Sequence, residues 1–473
     1  MFEAIGGGER TYLPRLAVVG GAVTVCAFAA GVGGLIEVHP KLAAAAALGV
    51  LLVAAAVVVP ADVLLPSILF VAWGAAVFTS EAAFGGAADA SATTTALTPT
   101  KLLPLVILGV LALWSVRDGI WATAPTAARL ATAYFVWLGV AAVLSPHPSL
   151  SLGRVLQGAG PLFVVLVMRR RIANAGVVLV WATTAAAAAH VIWAVYRPYY
   201  TGVGTSQVRL VGLLIANSFE FAAGLTVVVG VVVWLTRLLG TKSWLGVPLA
   251  LVGAVAVKES VGRTAALAAV AAIGAAVLTR HEHARTGGRR TFVVGTAALS
   301  ALLLLPSYIG TLTGWFKGGD QQLGTLTNRT LIWHTYVPQA LEHPFVGLGP
   351  GALRFAASAH KAALPVFLSP GTSIGQAHNS LIEALIGGGL PAAALWLAMM
   401  SALLFQVLGN RTRYRGLAVA LFVVCLVESI TIGQLAGFGM AWYLLLALLA
   451  LTAAPAEQAD EAEPLDASLS PGS

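Results

Sequence analysis

Cationic and titratable side chains gather in one polar stretch, residues 325–390, of a sequence that is apolar almost everywhere else. They include Arg329, Arg354, His334, His343, His360 and His378. Arginines bind anions and histidines exchange protons near neutral pH, so this stretch could bind an anionic ligand and perform acid–base chemistry. Charged groups are costly in lipid, so the stretch must lie in water or line a cavity. It is the predicted functional segment.

Within this segment, Arg329 is predicted to lie in the first turn of a helix that Asn328 or Thr327 caps and that runs to about Leu341. The free N–H groups and the dipole at a helix N-terminus favour an anion there. Trp333 and Tyr336 follow at i+4 and i+7 and share the face of Arg329. We interpret Arg329 as an anion ligand; the alternative is a surface or ion-paired arginine.

His378 lies just before another predicted helix, at the end of the polar segment. Ser380 and Glu383 have the spacing of a capping box, which gives Glu383 a structural role. His378 is thereby left outside the cap at the membrane surface. It is a candidate catalytic group, and the alternative is an ordinary loop histidine.

The sequence FVGLGPG at residues 345–351 predicts a glycine-rich turn that allows close backbone approach. Such a turn can cradle a phosphate, but this composition is more often only a turn.

Arg209 and Arg263 are predicted at the outer starts of two helices, where an arginine at the edge of hydrocarbon costs about 2 to 3 kcal/mol and needs a partner. For Arg263 that partner is either Glu259 or a diphosphate, which suits guanidinium geometry.

The composition of the 473-residue chain, 58% hydrophobic and 10% charged with a mean hydropathy of +0.88, is typical of a polytopic membrane protein. The fold class is all-α, a transmembrane helical bundle of about 12 to 14 spans with one large, partly helical extracytoplasmic loop. The predicted helices lie near 16–36, 42–59, 62–79, 101–116, 127–145, 152–168, 174–195, 210–236, 244–257, 261–279, 292–310, 380–406, 415–433 and 438–453. The domains are 1–310 (transmembrane helices), 311–380 (outer loop), 381–454 (transmembrane helices) and 455–473 (disordered acidic cytoplasmic tail).

The basic residues report orientation, because cytoplasmic loops retain Lys and Arg. Dense clusters at 169–171, 280–290 and 411–415 fall in one set of alternate connections. That set is predicted to be cytoplasmic, which turns the 311–380 loop outward and leaves both termini inside. The net charge of +8 therefore indicates topology rather than a nucleic-acid partner.

Metal and nucleotide motifs are not found in the sequence: it has no Walker loop, HExxH, DxD or paired-cysteine site. Cys26 and Cys425 fall inside apolar runs and are read as small buried hydrophobes. We therefore predict no cofactor and no metal site.

The segment resembles the O-antigen ligase and polymerase superfamily of membrane lipid-linked glycan transferases. R-x3-W (Arg329 and Trp333), HPFVGLGPGALRF and the HN pair (His378 and Asn379) match the pattern of its outer loop. ESVGRTAAL, with Arg263, and RLVGLLIANS, with Arg209 and Asn217, are similar to two further segments of the family. The resemblance covers residues 209–400.

The resemblance implies a metal-independent, inverting glycosyltransferase at the outer face of the bacterial inner membrane. Its donor would be a glycan on undecaprenyl diphosphate, embedded among the membrane lipids, and its acceptor a hydroxyl on a lipid, glycan or protein. Arg329 and Arg263 would hold the diphosphate, and His378 would take the proton of the acceptor hydroxyl. The expected substrate-binding residues are Arg209, Asn217, Trp333, Arg354 and Asn379.

Two other functions remain open at this stage. A flippase or transporter of lipid-linked sugars would be expected to carry inverted repeats and mid-membrane charges in both halves. A glycosyltransferase that uses polyprenyl-monophosphate sugars would place an acidic base in the first outer loop, where Glu37 lies. Ligase and polymerase activities share one site logic and are not separated by the sequence.

Overall fold

The computed structural model describes residues 124–171, 175–196, 198, 200–201, 209–210, 216–260, 263–280, 329–352, 377–410, 412–431 and 440–452. Its helices are α1 (Thr126–Val143), α2 (Pro148–Arg171), α3 (Ala175–Tyr196), α4 (Ala216–Thr236), α5 (Gly246–Glu259), α6 (Arg263–Arg280), α7 (Arg329–Glu342), α8 (Ser380–Gly409), α9 (Arg415–Thr431) and α10 (Met440–Leu451). A 3₁₀ helix, Gly240–Leu245, precedes α5. The two-residue strands β1 (Tyr200–Thr201) and β2 (Arg209–Leu210) pair antiparallel.

The protein is an all-α, multi-pass membrane protein. Among the described residues, six helices are long and apolar enough to cross a bilayer. The fourth of the helices predicted beyond residue 124 starts at Ala216 rather than at 210, because residues 209–210 pair as β2 instead. The predicted helices at 16–36, 42–59, 62–79, 101–116 and 292–310, and the tail at 455–473, lie outside the described residues.

α10 is the central helix of the described bundle. All twelve of its residues are buried, as expected for a helix that is apolar on every side. It packs against α2, α3 and α9. The indole N–H of Trp442 donates to the carbonyl oxygen of Gly158 at 3.0 Å and ties α10 to α2.

Small residues let neighbouring helices approach closely, as they do in other membrane bundles. Gly230 of α4 lies against the backbone of Gly246 and Ala250 in α5, and Gly253 lies against Val227. A side chain at any of these glycines would meet backbone atoms of the facing helix. The α4–α5 pair is therefore held by backbone contact rather than by large side chains.

The directions of the helices give the bundle two distinct ends. Gly416, at the start of α9, lies near Ala276 and Thr236, which are late in α6 and α4. Gly224, early in α4, lies near Ala265, early in α6. The starts of α4 and α6 and the end of α9 therefore share one end, which we name the site end.

The opposite end is the basic end, defined by the positive residues at its helix termini. They are Arg169, Arg237, Lys242, Arg413 and Arg415. Exposed Trp234 and Trp244 also lie at the basic end, whereas exposed Trp193 and Tyr196 lie near the site end of α3. Two groups of exposed aromatic residues on opposite ends are the pattern expected at the two interfaces of a membrane.

Candidate functional site

α7 connects the predicted anion ligand to the predicted base. The helix begins at Arg329, as the sequence indicated, and it packs against α8. Its Trp333 donates the indole N–H to the carbonyl oxygen of Ala377 at 2.7 Å. Ala377 directly precedes His378, so this hydrogen bond brings the R-x3-W and HN motifs together across 44 residues of sequence.

The same Ala377 is held on its other side by Glu383. The backbone N–H of Ala377 donates to Glu383 Oε1 at 2.9 Å, and Glu383 itself is buried. Both hydrogen-bonding groups of Ala377 are therefore fixed, one by α7 and one by the first turn of α8. A hydrogen bond that ends on a carboxylate is stronger than one between neutral groups.

His378 adopts a left-handed backbone conformation, with φ of +55°. This region is uncommon for residues other than glycine, although asparagine, aspartate and histidine adopt it more often than the rest, and it costs a non-glycine residue about 1 to 2 kcal/mol. The side chain of His378 is half-buried. Backbone strain of this kind persists only where the surrounding contacts enforce it, and it is frequent at functional sites.

The prediction that Ser380 caps α8 is wrong, because Asn379 is the N-cap. Its backbone is extended, and its side-chain oxygen accepts hydrogen bonds from Leu381 N at 3.0 Å and Ile382 N at 3.1 Å. Ser380 is already the first helical residue. In a capping box, the Glu383 carboxylate would accept a hydrogen bond from the backbone N–H of Ser380. The left-handed turn at His378 instead brings the N–H of Ala377 to Glu383.

Asn379 also connects α8 to α9. Its side-chain nitrogen donates to the carbonyl oxygen of Ile430, near the end of α9, at 3.4 Å. Its oxygen is occupied by the N-terminus of α8, so the observed contacts of Asn379 are with the protein backbone. The predicted role of Asn379 in substrate binding stays a prediction.

α8 is broken near the site rather than continuous. Gly388 and Gly389 have non-helical backbone angles, and Gly389 lies at φ +70° and ψ −167°, a region open essentially to glycine alone. Trp137 of α1 donates its indole N–H to Gly388 O at 2.8 Å. Since Asn379 contacts α9 and Gly388 contacts α1, the short first segment of α8 bridges these two helices.

The glycine-rich turn at 345–351 is a packing element that fits against this break. Leu348 N donates to Ile386 O, and Leu390 N donates to Pro344 O, both at 2.7 Å. Gly347 N donates to His343 O at 2.7 Å. Because two successive N–H groups of the turn are bonded to backbone carbonyls, the interpretation as a structural turn is favoured over a phosphate cradle.

The opposite side of this turn contacts the connection between α1 and α2. A Cβ on Gly349 would overlap Ser145, and one on Gly351 would crowd Arg154. Both glycines have positive φ. The turn is therefore enclosed between α8 and the α1–α2 connection, at the site end of the bundle.

The backbone of Arg263 lies at the level of the HN motif. Ala276 of α6 and Gly416 of α9 are neighbours, and the two helices run antiparallel. Arg263 is separated from Ala276 by the same number of residues as Ser429 is from Gly416. Arg263 and Ser429 therefore each lie about 20 Å along their helix from this shared contact, on the same side of it. Ser429 adjoins Ile430, which Asn379 contacts. The structure thus places the starts of α6 and α8 at one end, at similar height.

Arg209 and Asn217 are also at the site end. Arg209 lies in β2 and Asn217 in the first turn of α4, beyond Gly224, which lies near Ala265 of α6. Arg354 lies outside the described residues. The predicted site residues whose backbone is described therefore share one end of the bundle.

Three carboxylates are buried near the same end. Glu220 lies early in α4, Glu383 early in α8 and Glu428 late in α9. A buried charge requires partners, and each of these residues has an electrostatic or hydrogen-bonding interaction. The contact of Glu383 with Ala377 was missed from the sequence, because the capping-box spacing suggested a different partner.

Tyr336 completes the packed face of α7. It is fully buried, and burial raises the pKa of its hydroxyl above the ordinary value. Within the described ranges, no group of three or more His, Cys, Asp or Glu side chains could hold a metal ion.

Residues 248–397 match the family model described as O-antigen ligase. Over this segment the chain is similar to the O-antigen ligase and polymerase superfamily. No curated protein matches the chain. The matched range begins in α5 and ends in α8, so it contains Arg263, Arg329, Trp333, His378 and Asn379.

The match supports a ligase- or polymerase-like glycosyltransferase of polysaccharide biosynthesis. Such an enzyme uses a lipid-linked glycan donor and an acceptor. In this O-antigen ligase-like chain, the helix starting at Arg329, the break in α8 and the HN turn form one connected assembly.

Proposed function

We propose that the protein transfers a glycan from undecaprenyl diphosphate to a hydroxyl acceptor at the extracytoplasmic face of the bacterial inner membrane. The observation that carries this proposal is the hydrogen bond from Trp333 to Ala377. It joins the helix that starts with the proposed diphosphate ligand, Arg329, to the residue next to the proposed base, His378. A donor bound at Arg329 would then lie beside the imidazole.

In the proposed mechanism, the imidazole of His378 takes the proton of the acceptor hydroxyl. The oxygen of that hydroxyl attacks the anomeric carbon of the donor glycan at the same time. A new C–O bond forms, and the bond to undecaprenyl diphosphate breaks on the opposite face, so the configuration inverts. The leaving diphosphate keeps the bonding electrons. Arg329 and Arg263 would stabilise that growing negative charge, which is the task a metal ion performs in other enzymes.

The remaining predicted residues have supporting roles in this proposal. Arg209, Asn217 and Arg354 would bind the lipid phosphate or the sugars. Asn379 and Trp333 would act mainly by holding the HN turn, since their observed hydrogen bonds go to the backbone. Ligase and polymerase reactions would use this same site with different acceptors.

The proposed orientation follows from the basic end. Positive residues are retained on the cytoplasmic side of bacterial membranes, so Arg169, Arg237 and Arg413 favour a cytoplasmic basic end and an extracytoplasmic site end. The lipid-linked donor would then reach the site within the outer leaflet. Both termini would lie in the cytoplasm.

The proposal is tested by incubating purified protein in detergent with a defined undecaprenyl-diphosphate glycan and candidate acceptors, with and without EDTA. We expect a new glycoside with inverted configuration in both conditions. Arg329→Ala and Arg263→Ala should lower kcat/KM by about 100-fold, because each removes a charge that stabilises the leaving group. Glu342→Gln, an exposed residue at the end of α7, is the matched control.

Three results would contradict the proposal. Product that forms only with a divalent metal would remove the arginines from their role. Retained configuration would exclude direct displacement. With the same protein reconstituted in vesicles, movement of the donor across the membrane without any new glycoside would favour a transporter instead.

A further inference from the structure

Ala377 is gripped from two helices at once. Glu383 accepts its N–H at 2.9 Å and Trp333 donates to its carbonyl oxygen at 2.7 Å. Ala377 is fully buried, and Glu383 is 7% exposed. We name these two hydrogen bonds the Ala377 clamp.

The Ala377 clamp acts on the neighbouring residue, His378. The carbonyl of Ala377 belongs to the peptide bond that leads into His378, so its direction sets the backbone rotation there. On the other side, Asn379 is fixed by its hydrogen bonds to the N-terminus of α8 and to Ile430. His378 is thus confined between two anchored residues in a conformation that an unconstrained histidine rarely adopts.

We propose that Glu383 is a positioning residue for His378, and that Trp333 is its counterpart on the other side of the clamp. The inference rests on the proposed function, in which His378 is the base. Glu383 acts through the backbone of Ala377 and does not exchange a proton with the substrate. A base must lie within hydrogen-bond reach of the proton it takes, so a loosened clamp lowers the rate of the chemical step.

Glu383 is not needed to cap α8, and this argues for the positioning role. Asn379 already satisfies the N–H groups of Leu381 and Ile382. A buried carboxylate is costly, and a simple cap does not require one. The carboxylate oxygen instead meets the one N–H that fixes the turn before His378.

The test compares Glu383→Gln with Glu383→Leu in the purified full-length protein. Gln keeps an oxygen that can accept the Ala377 N–H, so its kcat should stay within about threefold of the unmodified protein. Leu has a similar size and no acceptor, so kcat should fall by about tenfold or more with KM nearly unchanged. Glu342→Leu makes the same replacement at an exposed position of α7 and should leave both constants unchanged.

Trp333→Phe tests the other half of the clamp without altering Glu383. The aromatic six-membered ring remains and the indole N–H is lost, so kcat should fall by about tenfold, as in Glu383→Leu, at constant KM. A rise in KM alone would assign Trp333 to substrate binding and overturn the clamp. A Gln variant as slow as the Leu variant would show that the charge of Glu383 matters directly, which also overturns the inference.

A second measurement is independent of catalysis. The rate at which diethyl pyrocarbonate acylates His378, followed by mass spectrometry, should rise by about threefold or more in Glu383→Leu, because the side chain gains access as the clamp opens. An unchanged rate would refute the clamp. The two proposals can fail separately. If His378→Ala keeps full kcat, while His378 is acylated faster in Glu383→Leu than in the unmodified protein, the proposed base is wrong and the clamp stands.

Discussion

At the residue scale, the site depends on the backbone of His378 as much as on its imidazole. The sequence predicted which residue types are present: a base, two guanidiniums and an indole on the face of Arg329. It did not predict the left-handed conformation at His378 or the grip on Ala377. The Trp333 half of that grip is a contact between α7 and the start of α8, 44 residues apart, which local spacing does not encode.

The left-handed conformation makes a prediction about stability. His378→Gly and His378→Ala both remove the imidazole and should both be inactive. Glycine tolerates φ of +55° without strain, so the Gly variant should be more stable than the Ala variant by about 1 kcal/mol. Thermal unfolding of the two variants in detergent measures the difference.

The opposite order of stability would contradict this account, because alanine is favoured over glycine at ordinary backbone angles. The same pair of substitutions at Ser380 provides a control. Ser380 is in regular helix, so there the Ala variant should be the more stable of the two.

At the element scale, helix positions were predictable and the break in α8 was not. Long apolar runs set the helices because a membrane span must satisfy its own backbone hydrogen bonds. The sequence reasoning treated 380–406 as one continuous span, although Gly387, Gly388, Gly389 and Pro391 carry the signal of a break. Glycine is common in membrane helices, so composition alone does not distinguish a packed glycine from a hinge.

The break predicts a sharp contrast between two glycines. Gly389→Ala should destabilise the protein by more than about 3 kcal/mol, because alanine cannot adopt its backbone angles and its Cβ would overlap the carbonyl oxygen of Pro344. The hydrogen bonds that hold the 345–351 turn against α8 would be disrupted, and transfer activity would fall as a result. Thermal unfolding and kcat measure the two effects.

Gly139→Ala is the matched control for this experiment. Gly139 lies inside α1 with nothing within 4 Å of its added Cβ, so the variant should be neutral or slightly more stable. Equal unfolding temperatures for Gly389→Ala and Gly139→Ala would mean that the break does not support the turn.

At the scale of the whole molecule, one end of the bundle is basic and the other carries the predicted site residues. Charge clusters in the sequence were enough to predict this separation, since the positive-inside tendency depends only on where Lys and Arg fall between spans. The common level of Arg263 and Asn379 could not be predicted in that way. It follows from the packing of α6 and α8 against α9.

The orientation is tested by cysteine labelling in a background that carries Cys26→Ala and Cys425→Ala. Glu342 is exposed at the site end and Arg413 is exposed at the basic end. Each is replaced by cysteine in turn, as Glu342→Cys and Arg413→Cys. A maleimide that does not cross membranes should label Glu342→Cys in intact spheroplasts and Arg413→Cys only after permeabilisation. The reverse pattern would place the site in the cytoplasm and contradict the proposed function.

The central claim is that His378, held beside Arg329 at the site end, removes the proton of the acceptor. The most direct measurement is the release of undecaprenyl diphosphate from a defined lipid-linked glycan, in single turnovers with acceptor present. His378→Ala should lower this rate by about 100-fold or more while donor binding is kept, and Glu342→Gln should not change it. Release by His378→Ala at the rate of the unmodified protein would contradict the account.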